Sequence, residues 1–225
     1  MNDVIMRTER LNKAFSLGET IYAVSDVTIT IPRGRITAIV GPSGSGKSTL
    51  LSLLGGLDRP MSGDIFLEEQ SYRKLSEDGL ALLRRKKLGY VFQFFNLIPH
   101  LTALENVALP MSFIGVSKRQ AHERAKELLE RVGLAKRLDH VPLQLSGGEQ
   151  QRVAIARSLA NKPAIILADE PTGNLDSKSR GGVLELFQQF NRDEGQSFIM
   201  ITHDEKVAAI AHRVIYMQDG KVVEQ

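Results

Sequence analysis

The stretch Gly41-Pro42-Ser43-Gly44-Ser45-Gly46-Lys47-Ser48-Thr49 meets every requirement of the phosphate-binding pattern G-x-x-x-x-G-K-[S/T]. Glycines at these spacings let the backbone curl until successive N–H groups point into one concavity, and the helix that follows adds the positive end of its dipole. A polyphosphate fits such a cradle. Lys47 is placed to reach the β- and γ-phosphates, and the Ser48 hydroxyl to ligate Mg²⁺. A Gly/Ser-rich turn that merely precedes a lysine would not need the buried strand Ile36-Thr37-Ala38-Ile39-Val40 that leads into this one.

Other residues could work on what the loop holds. The apolar run Ala164-Ile165-Ile166-Leu167-Ala168 ends in Asp169-Glu170, which delivers a carboxylate to hydrated Mg²⁺ at a strand terminus. Because side chains alternate along a strand, the two acids are expected to point apart, one toward metal and the other toward water. A paired structural acid is the alternative. His203 closes another buried run, 197–202, at the edge where α/β proteins bind ligands; a lone histidine is otherwise structural. Ser146-Gly147-Gly148 opens a helix carrying Val153, Ile155, Ala156, Leu159 and Ala160, so its amides offer a second anion site, although the same triplet is an ordinary helix lead-in. Phe15, with Tyr22 nearby, reads as a core side chain or as a ring on a loop beside the turn-prone Ser16-Leu17-Gly18.

These groups need a sheet edge and helix starts to hold them. Residues 4–31 are β-like, two or three strands closed by the turn Pro32-Arg33-Gly34. A helix over 48–57, stopped by Gly55-Gly56, follows the phosphate loop, then a loop at 58–63 and a short strand at 64–68. Ser76-Glu77-Asp78 starts a helix whose basic end, Arg84-Arg85-Lys86-Lys87, is a solvated terminus or a contact for anionic lipid headgroups. A buried strand at 89–92 runs into Gln93 and the apolar stretch Phe94-Phe95-Asn96-Leu97-Ile98-Pro99, which is either core or a surface that a partner covers.

Helices opening at Thr102, with a capping box to Glu105, and at Ser117, with an apolar stripe Leu128, Leu129, Val132 and Leu134, join the one after Ser146 in a helix-rich insertion over about 94–162. A hairpin turned by Gln218-Asp219-Gly220 pairs 213–217 with 221–224.

Composition limits the function classes. A hydrophobic content of 42% fills a core, and 29 Lys and Arg against 26 Asp and Glu leave a net charge of +3, too slight an excess to imply a nucleic-acid partner. Without cysteine, disulfides and thiolate chemistry drop out. No apolar run approaches the ~18 residues of a membrane span, and Met1-Asn2-Asp3 lacks the basic-then-apolar opening of a signal peptide. The chain is therefore expected in the cytosol, free to dock onto spans carried by another polypeptide.

Taken in order, the motifs resemble the nucleotide-binding subunit of an ABC transporter over essentially the whole chain. Gly41 to Thr49 matches the Walker A loop, Gln93 the Q-loop and Leu145-Ser146-Gly147-Gly148-Glu149 the signature; Ile165 to Glu170 matches the Walker B strand, Asn174-Leu175-Asp176 the D-loop and His203 the switch histidine. The signature separates this family from other P-loop proteins, and here its fifth residue is Glu149 where Gln is commoner. The resemblance implies a P-loop NTPase fold: α/β, with a mixed core sheet, an N-terminal antiparallel β-subdomain and a helical subdomain at about 94–162 within one domain of residues 1–225.

Finer features are similar to the lipoprotein-releasing and macrolide-exporting branch: Gly55-Gly56-Leu57-Asp58, the run 92–99, the run 101–107 and Ala168 to Asp176.

The same resemblance implies an ATPase in which one chain carries half of each ATP site. Lys47 and Ser48 would hold phosphates and Mg²⁺, Asp169 would hold Mg²⁺ through water, Glu170 would act as general base, His203 would contact the γ-phosphate, and Gln93 would sense metal and water. Phe15 would stack on adenine, with Tyr22 as the fallback. Ser146, Gly147, Gly148, Glu149 and Asp176 would meet the nucleotide of a second copy, in an ATP-dependent head-to-tail homodimer. A membrane permease would dock near Phe94 to Pro99, placing the chain at the cytoplasmic face of the inner membrane. An ATP-dependent regulatory or cell-division ATPase that moves no substrate, and a soluble P-loop kinase, are the competing classes.

Overall fold

A computed structural model describes residues 3–17 and 19–224. Of the segments singled out above, Met1, Asn2 and Gly18 lie outside the described residues.

The first strands form an antiparallel layer. β1 (Val4–Leu17) pairs with β2 (Glu19–Val27) and with the short β3 (Thr30–Pro32). After the phosphate loop and helix α1 (Lys47–Leu54), β5 (Ser62–Leu67) returns to β1, and β6 (Gln70–Ser71) extends it. Alternation explains this layer: Ile5, Val24, Val27, Ile29, Ile31, Ile65 and Leu67 are buried against one face while polar neighbours face water.

The second sheet combines β4 (Ile36–Val40), β7 (Leu88–Val91), β8 (Ile165–Asp169), β9 (Ser197–Thr202), β10 (Arg213–Gln218) and β11 (Lys221–Glu224), in the order β11-β10-β4-β9-β8-β7. Only the β10–β11 pair is antiparallel among them, so the sheet is mixed. Its inner strands are continuously apolar because both faces are covered: Ile165, Leu167, Ile199 and Ile201 enter the core shared with α1 and the antiparallel layer, whereas Ile166, Ala168, Phe198 and Met200 enter the core on the other side. That second core also receives α3 (Ala103–Ser112), α4 (Lys118–Arg131), α5 (Gly147–Leu159) and α6 (Ser177–Glu194). Helices α2 (Glu77–Lys87) and α7 (Glu205–Ala209) complete the α-helices among the described residues, and a 3-10 turn at Pro142–Gln144 precedes α5.

The parallel register brings the functional ends together. Val40 lies beside Thr202, Asp169 beside Ile201 and Val91 beside Ala168, so the carboxyl ends of β4, β7, β8 and β9 share one edge.

Several expectations shift. The first helix ends at Leu54 and not at 57, because Gly55 caps it and Gly56 turns left-handed at φ 61°. Ser62 and Gly63, expected in a loop, pair in β5. Phe15 stands in a strand opposite Ile21, not on a loop, because the β1–β2 ladder continues to Leu17 and Glu19. Its ring is nevertheless exposed, at 41%. The apolar stretch 94–99 divides: Phe94 is 73% exposed, while Phe95 and Leu97 pack against the helical core.

Candidate functional site

The phosphate loop is shaped by positions where only glycine fits. Gly41 has φ 155° and Gly46 φ 96°; a Cβ on the first would stand 2.1 Å from the Met217 carbonyl oxygen, and on the second 1.9 Å from that of Ala23. The loop is thus clamped between β2 and the β10–β11 turn, where the Gly220 N–H donates to the Ser45 carbonyl at 3.1 Å. Asp219 and Gly220 both take positive φ, the geometry of a tight hairpin turn. Gly46 caps α1 with no side-chain hydrogen bond, leaving the helix's first amides to an anion. Lys47 is buried, its ammonium donating to the carbonyls of Gly41 (2.9 Å) and Pro42 (2.8 Å).

A cavity of about 870 Å³ opens over this loop. Ser43, Gly44, Gly46, Lys47, Ser48 and Thr49 form its floor, and Gln93, Glu170 and His203 its far wall. Ile21, Tyr22, Ala23, Asp219 and Gly220 supply the near wall. Of these five, only Tyr22 is a site candidate from sequence; Asp219-Gly220 reads there as a hairpin turn, and its place over Ser45 depends on β10 lying next to β4. Tyr22 lines the cavity and Phe15 does not, although Phe15 faces the same side of the hairpin as its cross-strand neighbour Ile21.

Asp169 ends β8 half-buried and bonded to Ser48; burial first, then the neighbouring Glu170, hold its carboxyl above the usual range, against the pull of Lys47 and Ser48. Glu170 does not continue the strand. Its φ of 45° breaks the alternation expected for the two acids, and a turn rather than the pleat separates them. The Glu170 N–H donates to Ile201 at 3.0 Å, and its carboxylate sits 2.8 Å from His203 Nδ1. Gln93 and Asn174 are joined by two hydrogen bonds, which tie the end of β7 to the turn after β8.

Among the described residues, no group of three or more His, Cys, Asp or Glu could hold a metal by itself. Ser48 and Asp169, two hard oxygen donors beside a phosphate cradle, suit Mg²⁺, which keeps several waters and takes phosphate oxygens as ligands.

Ser146, Gly147, Gly148, Glu149 and Asp176 do not line this cavity. Ser146 caps α5 in a full capping box with Glu149, and Asp176 caps α6 through the N–H groups of Lys178 and Ser179. Neither cap was read from the sequence, although Ser-x-x-Glu at 146–149 carries the signal for the first. Elsewhere, a groove of about 320 Å³ lies between Leu57, Arg84, Tyr90, Asn96 and Phe113. Arg84 donates to the Gly56 carbonyl there, so this part of the basic helix end is a groove wall, not only a solvated terminus.

The family profile described as "ABC transporter" matches residues 24–173. A lipoprotein-releasing system ATP-binding protein LolD of Idiomarina loihiensis is 46% identical, over 98% of this chain and 97% of its own length. Its Aquifex aeolicus counterpart is 48% identical over 97% and 96%. Among solved structures, the dimeric ATP-binding cassette MJ0796 in a post-hydrolysis state with ADP and Pi superposes with a TM-score of 0.90 at 45% identity, covering 97% of each chain. The protein MJ0796 is that of Methanocaldococcus jannaschii.

Proposed function

The chain belongs to the ABC transporter ATP-binding family, and from that premise we propose how its residues divide the work of an ATP-hydrolysing transporter subunit. It is an ATPase that uses ATP with Mg²⁺. The observation that carries the assignment of roles is the gathering of the phosphate loop, Gln93, Glu170 and His203 around one cavity at the carboxyl edge of the parallel strands.

Ser48 and Asp169 would hold Mg²⁺, whose charge would offset that of the phosphates. The backbone amides of 43–48 and the Lys47 ammonium bind the phosphates, and Ser48 and Asp169 orient the metal side. Glu170 takes the proton of the attacking water. His203, bonded to Glu170 through Nδ1 at 2.8 Å and lining the cavity, fixes that carboxylate's direction. Gln93 reports the state of the site to the segment 94–99. The adenine lies against the outer β1–β2 hairpin, where Phe15, Ile21 and Tyr22 offer apolar surface. Ser146, Gly147, Gly148 and Asp176 stand outside this cavity and act on the nucleotide of a second copy, in a head-to-tail dimer. One domain of 1–225, with a helical part at about 94–162, carries all of these groups.

The relatives named for lipoprotein release support a subunit that powers extrusion or lipoprotein release through a membrane partner. No helix among the described residues is long and apolar enough to cross a membrane, so the spans belong to that partner. The exposed Phe94 and the adjoining groove are its dock, at the cytoplasmic face of the inner membrane.

Glu170→Gln tests the mechanism. Hydrolysis is expected to fall by about 10²- to 10⁴-fold while ATP binding persists and an ATP-stabilised dimer accumulates. Unchanged turnover removes Glu170 as the base. A tagged chain expressed in its own cells should retain a membrane protein on purification; a wholly soluble set of companions rules out the transporter role.

A further inference from the structure

The second anion-binding segment carries a charge of the wrong sign. Glu149 is the third residue of α5, and its Oε2 accepts from both the Ser146 N–H and the Ser146 hydroxyl, each at 2.9 Å. A carboxylate there opposes the positive field that a helix start offers to an anion. The contacts with Ser146, and then Arg137, hold its carboxyl at about 2, so it is fully ionised near neutrality. One cation answers it: Arg137, in the connection between α4 and α5, donates from Nε to Glu149 Oε1 at 2.8 Å. The opposite edge of the guanidinium lies 3.4 Å from His140 Nε2. Both oxygens of Glu149 are thus used, one by the helix cap and one by the arginine.

We propose that Arg137 is a positioning residue for ATP-driven association: by pairing with Glu149 it neutralises the helix start that carries Ser146, Gly147 and Gly148, so that this start can close on the γ-phosphate held by another copy of the chain. The proposal rests on the two-copy reading above. Arg137 itself touches no nucleotide. An exposed ion pair contributes little to folding, so loss of Arg137 acts on association and leaves the fold intact.

The charge can be removed from either side. Glu149→Gln keeps the cap, because the amide oxygen accepts the same two bonds. In chains also carrying Glu170→Gln to block hydrolysis, the ATP concentration for half-maximal dimer is measured by light scattering. Arg137→Ala is expected to raise it about two- to fivefold, the range of a single charge at a helix start. Arg137→Lys should restore most of the loss. In the Arg137→Ala/Glu149→Gln double variant the defect should disappear, since no carboxylate remains to be neutralised. An Arg137→Ala curve that matches the parent, or a defect that persists in full beside Glu149→Gln, overturns the proposal. A parent chain that stays monomeric in saturating ATP overturns the two-copy reading itself, and this inference with it.

Discussion

Two helix starts in this chain are assigned to phosphate in the proposed mechanism, and they are built in opposite ways. At α1 the capping residue is Gly46, left-handed and without a side-chain cap, and the loop before it is clamped by backbone from β2 and the β10–β11 turn. At α5 the cap is Ser146 in a closed box with an acid, and Gly147 and Gly148 have ordinary helical backbone. The first start is held open by the fold; the second satisfies itself. A site that must bind before anything else happens needs the first construction, because its amides lose no protein partner when phosphate arrives. A surface that should engage only once a charged nucleotide is presented to it tolerates the second.

The sharpest way to break this contrast is at Lys47. Lys47→Ala removes a buried cation already oriented by two loop carbonyls, and is expected to weaken ATP binding about a hundredfold or more, the scale of charge-assisted bonds to phosphate. Isothermal titration calorimetry on the monomeric chain reads it. Retention of affinity would mean that the loop is not the primary phosphate site.

A paired glycine experiment comes next. At Gly46 an alanine meets a backbone carbonyl at 1.9 Å in a left-handed conformation, so Gly46→Ala should cost about 2–4 kcal/mol in stability or prevent folding. At Gly147 the nearest neighbours of an added Cβ are the Phe95 ring at 3.7 Å and Leu175 at 3.8 Å, both ordinary contacts. Gly147→Ala should leave thermal stability within about 0.5 kcal/mol of the parent, while hydrolysis falls about tenfold or more because a methyl group stands where phosphate approaches backbone. Equal destabilisation at the two positions would erase the distinction.

What could be read without coordinates follows the same division. Local signals were enough for the glycine-rich loop before α1, the buried strand that ends at Asp169 and the Thr102 capping box, since each depends on residues within a few positions. The family profile and the close structural relatives bear out the α/β fold with its mixed core sheet and the ATPase identity. What stayed hidden required knowledge of which strands are neighbours. That Asp219 and Gly220 lie over Ser45 follows from β10 pairing with β4, across some 170 residues of chain. The Glu170–His203 contact needs β8 beside β9, and also a left-handed Glu170 that no propensity assigns to that residue. Arg137 lies only 12 positions from Glu149, yet nothing in its local pattern marked it.

The smallest expected effect separates the two starts by pH. The stretch 41–49 contains no carboxyl, whereas the α5 start depends on one. The Glu149 carboxyl titrates at about 2 in the folded chain against 4.5 as a reference, so the folded chain binds this proton less readily than the unfolded one. The stabilisation is therefore complete above about pH 4.5 and is lost as pH falls toward 2. Glu149→Gln removes that dependence while leaving every other acid in place, including Glu68, Glu105 and Asp176, whose lowered values also weaken the fold in acid. Urea unfolding of parent and variant should give a gap of about 0.5–1 kcal/mol near neutrality, the size of an exposed ion pair and of a negative charge at a helix start, since the amide keeps the cap bonds themselves. The gap should close between pH 4.5 and 2. Subtracting the two curves cancels the shared acids, so a gap that stays constant over that range would show that the box at Ser146 owes nothing to the charge of Glu149.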